Sequence, residues 1–241
     1  MTKQRLDIEL TQRKLTTTRS QAESWIKLGK VTVNGQVISK PGYFVGLNSD
    51  IKMNVDVQYV SRAGLKLASV ADIFKLDFRG KTVLDVGSST GGFTDFALRN
   101  GAVKVYAVDV GTDQLHPSLR GDKRIELHEK TDIRDFYLDS APDIIVADVS
   151  FISLREILPH LHNYLSNTDT QIVAMVKPQF EAGIGQTNKG VIKNDSMRRQ
   201  ILKDFEDWSR QSFVIINKRD SDVAGAKGNQ ERFYLLQPLK K

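Results

Sequence analysis

The stretch Val83-Leu84-Asp85-Val86-Gly87-Ser88-Ser89-Thr90-Gly91-Gly92-Phe93 constrains this chain more than any other. A short apolar run enters a cluster of glycines and leaves it as a helical pattern. That order places a ligand-binding turn at the carboxyl edge of a parallel strand. Gly87, Gly91 and Gly92 let backbone approach a ligand where a side chain would collide. Their G-x-x-x-G-G spacing fits neither the dinucleotide pattern G-x-G-x-x-G nor the phosphate loop, and no lysine follows to hold a phosphate. The acid precedes the first glycine, at Asp85, where a carboxylate suits a ligand that carries positive charge.

The remainder of the chain from Lys81 supports the same architecture. Candidate strands lie at Thr82–Val86, Val103–Val108, Ile125–His128, Asp143–Ala147, Gln171–Val176, Phe213–Asn217 and Phe233–Gln237. Candidate helices lie at Leu65–Phe74, Gly92–Arg99, Ser153–Leu165 and Ser196–Ser209. Apolar strands alternating with helices predict a parallel sheet covered on both faces. The short glycine-bearing link between the last two strands predicts an antiparallel end. The expectation is an α/β, Rossmann-like sheet of the seven-stranded methyltransferase type, mostly parallel with its last strand antiparallel.

The motif D-x-G-x-x-x-G-G resembles the first binding motif for S-adenosylmethionine, whose ammonium and sulfonium would face Asp85. Asp109 ends a second strand about twenty residues on, placed for ribose hydroxyls. A nicotinamide cofactor would ask for the same acid, so Asp109 indicates a nucleoside without choosing between them. Thr131-Asp132, after the third strand, is placed to accept an adenine amine.

The first sixty residues read differently. They hold nine Lys/Arg against five Asp/Glu, a net of +4, whereas the remaining residues carry only +2 of the total +6. A small basic segment joined to a nearly neutral one predicts a polyanion-binding module. Ser20-Gln21-Ala22-Glu23 has the form of a capping box, ahead of a helix through Trp25, Ile26 and Leu28 that Gly29 ends. Alternating β-branched residues around Asn34-Gly35 predict a hairpin. These residues, with Arg5-Leu6-Asp7 and Pro41, resemble the small RNA-binding module shared by ribosomal small-subunit protein four, pseudouridine synthases and tyrosyl-tRNA synthetases. The resemblance implies contacts to structured RNA, with Arg5, Lys14, Arg19, Lys27, Lys30 and Arg62 as candidates. Lys14 stands where such modules commonly have glycine. The expected division is 1–60 and 61–241, with a junction in Val57–Arg62.

Composition then removes reaction classes. Cysteine is absent, which excludes disulfides, thiolate zinc and the cysteine nucleophile of carbon-five pyrimidine methylation. Exocyclic-amine methylation commonly shows [DN]-P-P-[YF] after strand four; Asp148-Val149-Ser150-Phe151 lacks both prolines. A ribose 2′-hydroxyl requires proton removal and a positive field for the developing oxyanion. Lys66, Asp148, Lys177 and Glu231 supply amines and acids for that task.

At this level the chain resembles the TlyA family, bacterial 2′-O-methyltransferases also labelled haemolysin A, with an FtsJ-like catalytic domain behind the RNA-binding module. The carrying segments are Ser61-Arg62-Ala63-Gly64-Leu65-Lys66-Leu67, Asp85–Asp95, Tyr106–Gly111, Asp148–Leu154, Val176–Glu181 and Gly228-Asn229-x-Glu231. The resemblance implies a Lys66–Asp148–Lys177–Glu231 tetrad, with Lys177 as base or proton acceptor. It also implies S-adenosylmethionine contacts at Asp85, Gly87, Ser88, Gly91, Gly92, Phe93, Asp109, Asp132 and Asp148. Cytidine in ribosomal RNA is the implied substrate, and ribosomal subunits are the implied partners.

A secretory apolar stretch and an 18-residue apolar run are both missing, so the expectation is a cytoplasmic, monomeric protein without membrane or metal partners. That reading opposes a membrane-damaging toxin, and the intact tetrad opposes a non-catalytic assembly factor. His160-x-His162 reads as helix surface. The glycine-bearing stretch Ala182–Gly190 reads as a mobile substrate loop or as a plain connection.

Overall fold

Two compact units, Met1–Arg62 and Ala63–Lys241, make up the chain in a computed structural model. It describes residues 3–16, 19–27, 29–54, 59–183, 191–192, 194–223 and 228–240. Leu28, part of the Val57–Arg62 junction and most of Ala182–Gly190 lie outside the described residues.

The smaller unit runs β1 (Lys3–Arg5), α1 (Leu6–Gln12), α2 (Arg19–Lys27), β2 (Val31–Val33), β3 (Gln36–Val37), β4 (Phe44–Gly46) and β5 (Ile51–Met53). Strands pair as β3-β2-β5 and β1-β4, over a core of fully buried Leu6, Leu10, Ala22, Ile26 and Val31. Asn34 and Gly35 turn β2 into β3 with φ of 50° and 81°, the doubly left-handed geometry that matches strand twist. Gly29, at φ 68°, ends α2 in a Schellman arrangement: its N–H reaches Ile26 O and that of Lys30 reaches Trp25 O. Lys14 takes the left-handed conformation expected of a glycine, φ 55°. The capping-box expectation is corrected here. Ser20 is the second residue of α2, not its cap, and the helix start is tied down instead by Arg19, whose Nε donates to Asp7 at 2.8 Å.

The larger unit follows as α3 (Arg62–Phe74), β6 (Thr82–Val86), α4 (Gly92–Arg99), β7 (Lys104–Val108), β8 (Ile125–His128), β9 (Ile144–Ala147), α5 (Leu158–His160), β10 (Gln171–Val176), α6 (Pro178–Glu181), α7 (Asp195–Ser209), β11 (Phe213–Asp220) and β12 (Arg232–Pro238). One sheet holds seven strands in the order β11-β12-β10-β9-β6-β7-β8. Only β12 opposes its neighbours. The central strands are buried on both faces, which is why they read as unbroken apolar runs.

The helix expected at Ser153–Leu165 is broken. A 3₁₀ turn at Leu154–Glu156, the single turn α5 and a π turn at Leu161–Leu165 replace it. Pro159, lacking an N–H, is accommodated at the start of α5. The break carries His160 and His162 inward, correcting their expected surface position: both are 9% exposed. Their Nε2 atoms lie 2.9 Å from Phe136 O and 3.2 Å from Leu239 O, so each ring N–H satisfies a backbone carbonyl. Among the described residues no helix is long and apolar enough to cross a membrane.

Candidate active site

Strand order sets the site. Val86 pairs with both Val108 and Ala147, Ala147 with Ala174, and Val176 with Arg232. The residues just past these pairs therefore form a row along the carboxyl edge of the parallel strands. In spatial order they are Glu231, Lys177, Asp148, Gly87 and Asp109.

Gly87 has φ 78°, and a Cβ there would sit 2.8 Å from the Asp148 backbone oxygen. Any side chain would push the β6 and β9 loops apart. Gly91, at φ 85°, precedes α4, and its Cβ would meet the methyl groups of Leu115 and Leu119. Gly92 and Phe93 open α4 and are buried; the Phe93 ring packs 6.2 Å from that of Phe233 on β12.

Two cavities meet at this edge. A larger one of about 480 Å³ is bordered by Asp109, Asp132, Ile133, Asp148, Phe151 and Ile157, among others. A smaller one of about 140 Å³ is bordered by Ala63, Asp85, Ser88, Phe93 and Lys177. Gly87, Ser89, Asp148 and Ser150 line both.

Asp85 is 1% exposed. Its Oδ2 accepts from Thr94 Oγ1 at 2.6 Å, but its buried Oδ1 has no hydrogen-bond partner. Burial, opposed by the Thr94 hydrogen bond and reinforced by the Asp148 charge, pushes this carboxyl up to about 7. A buried carboxylate oxygen with nothing to bind asks for a cation. The buried Ser88 Oγ also lacks a partner.

Asp109 is held by backbone donors, from Ser89 N at 2.8 Å and Gly111 N at 2.6 Å. Each oxygen keeps capacity for a further donor. Asp132 reaches the larger cavity already engaged: Arg134 donates through Nε at 3.0 Å, Nη2 at 2.7 Å and its backbone N at 2.9 Å. Those hydrogen bonds hold Asp132 below the usual carboxylate range against burial.

The four residues expected to form the tetrad make two ion pairs. Lys66 meets Glu231, both under 9% exposed. Lys177 Nζ lies 2.6 Å from Asp148 Oδ1 and donates to Ser150 Oγ at 2.7 Å. Phe151, 92% exposed and at φ 67°, tilts against Phe180 with centroids 5.3 Å apart. Glu181 closes the same two loops by accepting from Ser153 Oγ at 2.5 Å and Leu154 N at 2.8 Å. Ser150, Thr94 and the Phe151–Phe180 pair were not singled out from the sequence. Their signal was membership in the motifs around Asp148, Asp85 and Lys177.

In the smaller unit, Arg5 and Arg19 converge on Asp7, whose side chain is wholly buried. Burial would raise its carboxyl, but the two guanidiniums outweigh it and hold it at about 2. These arginines therefore brace α1 against α2 with part of their charge. Lys14, Lys27 and Lys30 are exposed and Arg62 is half-buried.

Residues 59–237 match the model of the FtsJ-like methyltransferases, and residues 4–51 match the S4 domain. The chain belongs to the FtsJ-like methyltransferase family. It is 37% identical to the Mycobacterium tuberculosis protein named 16S/23S rRNA (cytidine-2′-O)-methyltransferase TlyA, over 97% of this chain and 89% of that one. It is 38% identical to Hemolysin A of Brachyspira hyodysenteriae, over 94% and 97%. A solved Streptococcus thermophilus chain that carries a hemolysin name superposes with a TM-score of 0.73 at 37% identity, covering 99% of this FtsJ-like chain and 89% of that one.

Proposed function

We propose that the chain methylates the 2′-hydroxyl of a cytidine in ribosomal RNA, with S-adenosylmethionine as donor. The observation that carries this reading is the row of two lysine–carboxylate pairs beside a glycine-lined nucleoside cavity.

The residues present suit the donor. The orphaned Asp85 Oδ1 offers a place for a cationic group, and the Gly87 backbone offers close approach without a Cβ. Asp109 would take ribose hydroxyls. Three of the four lone-pair positions on Asp132 are occupied by Arg134, leaving one for an adenine amine. When bound, S-adenosylmethionine supplies a methyl group on a cationic sulfur.

Lys177, in its neutral form, accepts the proton that the ribose hydroxyl loses as its oxygen is alkylated. Asp148 stabilises the ammonium so formed. Lys66, held in place by its ion pair with Glu231, contributes a positive field where the oxygen becomes anionic. Burial of both pairs removes much of the water that would weaken this field. Phe151 and Phe180 provide an aromatic surface at the rim on which an unstacked base can rest.

The deciding test incubates the protein with methyl-labelled S-adenosylmethionine and unmodified ribosomal subunits. Label is expected in alkali-resistant dinucleotides with cytidine on the 5′ side, because a 2′-O-methyl blocks the neighbouring hydrolysis. Label in free bases, or none, would overturn the reading.

The smaller unit supports RNA binding through its exposed lysines. Changing Lys27 and Lys30 to glutamine is expected to weaken rRNA binding and lower the salt slope by about one per lost phosphate contact. Filter binding across salt concentrations measures both. Arg19→Gln should instead lower the melting temperature, since the buried Asp7 loses one of its two guanidinium partners.

A further inference from the structure

The contacts of Lys177 divide into one that supplies charge and one that supplies direction. Asp148 Oδ1 lies 2.6 Å from Nζ, yet that oxygen receives no hydrogen bond. An ion pair is held by distance more than by direction, so it restrains rotation about the Cε–Nζ bond less than a directed N–H does. Ser150 Oγ, at 2.7 Å, is the acceptor that takes a directed N–H from Lys177.

One directed hydrogen bond is enough to stop that rotation. The amine nitrogen is tetrahedral, so fixing Cε and one N–H fixes the remaining two positions. In neutral Lys177 one of these is the lone pair that must meet the hydroxyl proton. A base whose lone pair wanders loses rate through misorientation, even when its distance to the substrate is right.

The position of Ser150 suits that task. It lines both cavities and thus stands between the nucleoside space and the Lys177 space. Its loop is fastened on the far side, where Glu181 accepts from Ser153 and Leu154. Phe151 leans on Phe180 between these two fastenings. The hydroxyl is therefore held by loops anchored at both ends.

From this geometry we infer that Ser150 is a positioning residue for methyl transfer, orienting the Lys177 amine toward the acceptor hydroxyl. The inference rests on the proposed role of Lys177 as proton acceptor.

The test compares Ser150→Ala, Ser150→Cys and Ser150→Thr in full-length protein, with ribosomal subunits as substrate. Alanine removes the acceptor, cysteine keeps the shape but is a weak acceptor, and threonine keeps the hydroxyl. Alanine and cysteine are expected to lower kcat by about 10- to 100-fold, a share of what general-base catalysis contributes. KM for the subunits and affinity for S-adenosylhomocysteine, by calorimetry, should stay near wild type. Threonine should recover most of the rate. If alanine fails to fold, the cysteine variant decides the matter.

Wild-type kcat in the folded alanine or cysteine variant would overturn the inference, as would a loss confined to KM or to nucleoside affinity. Lys177→Met, assayed alongside, separates the two levels. An active Lys177→Met protein defeats the proton-acceptor role of Lys177, on which the inference rests, and leaves the methyltransferase reading to the labelling test. An inactive one beside fully active Ser150 variants defeats the positioning role alone.

Discussion

Lys177→Met is expected to lower kcat for methyl transfer by about 10²–10⁴-fold, the range that a positioned proton acceptor contributes. Methionine preserves the apolar stem but has no lone pair basic enough to take the hydroxyl proton. The Lys177 side chain is only 9% exposed and Asp148 only 16%, so removing the amine also strands a largely buried carboxylate. Breaking such a pair costs about 3–5 kcal/mol when one charge is left alone. The rate loss must therefore be separated from instability. Adding Asp148→Asn to Lys177→Met removes the stranded charge, and the double variant should regain melting temperature without regaining rate. Single-turnover labelling and thermal melts measure the two quantities. A double variant that recovers both would reduce Lys177 to a structural partner of Asp148.

On the proposed reading, Asp85 is expected to govern donor binding through its protonation. With the carboxyl near 7 in the free protein, a cationic ligand must compete with a proton. Affinity for S-adenosylmethionine is expected to fall by up to about tenfold per pH unit below that value and to level off above it. Asp85→Asn removes the charge but can keep the Thr94 hydrogen bond. At pH 8 it should weaken binding by about 100-fold, within the cost of losing one member of a buried charge pair.

The ligand-free protein should respond in the opposite sense. A carboxyl whose folded value lies above its unfolded one is held as the neutral acid by the fold. Its stabilising contribution is full below about 4 and is lost as pH rises to about 7. At pH 8 the native state carries a buried, half-satisfied carboxylate. Asp85→Asn should then melt higher than wild type, and the gap should close at pH 5. Calorimetric titration and melting curves at the two pH values check both halves. Equal melting at pH 8, or donor affinity indifferent to pH, would remove Asp85 from this role.

Much of this was legible in the residues. Asn34-Gly35 announces its hairpin because two adjacent left-handed residues are rare outside that turn. The glycine loop announces its strand-to-helix turn because a Cβ at Gly87 would strike the neighbouring loop. Other features stayed hidden. Ser153–Leu165 has the composition of one helix, but it is broken into three turns, with Pro159 at the start of the second. Ser20 has the spacing of a cap, yet α2 already includes Arg19, so Ser20 lies inside the helix. Nor does the sequence show that Arg19 pairs with the buried Asp7.

Residue order alone therefore determined the alternation of strands and helices, the two-part organisation and the acids and amines available for chemistry. Each is a local property, expressed in hydrophobic period, turn propensity and charge. Which amine faces which acid was decided by strand order. Lys66 and Glu231 lie 165 residues apart yet share a buried ion pair, and Lys177 finds Ser150 across two adjacent loops. Sheet pairing sets such distances, and it is a cooperative outcome of packing the whole core that no short window of sequence contains.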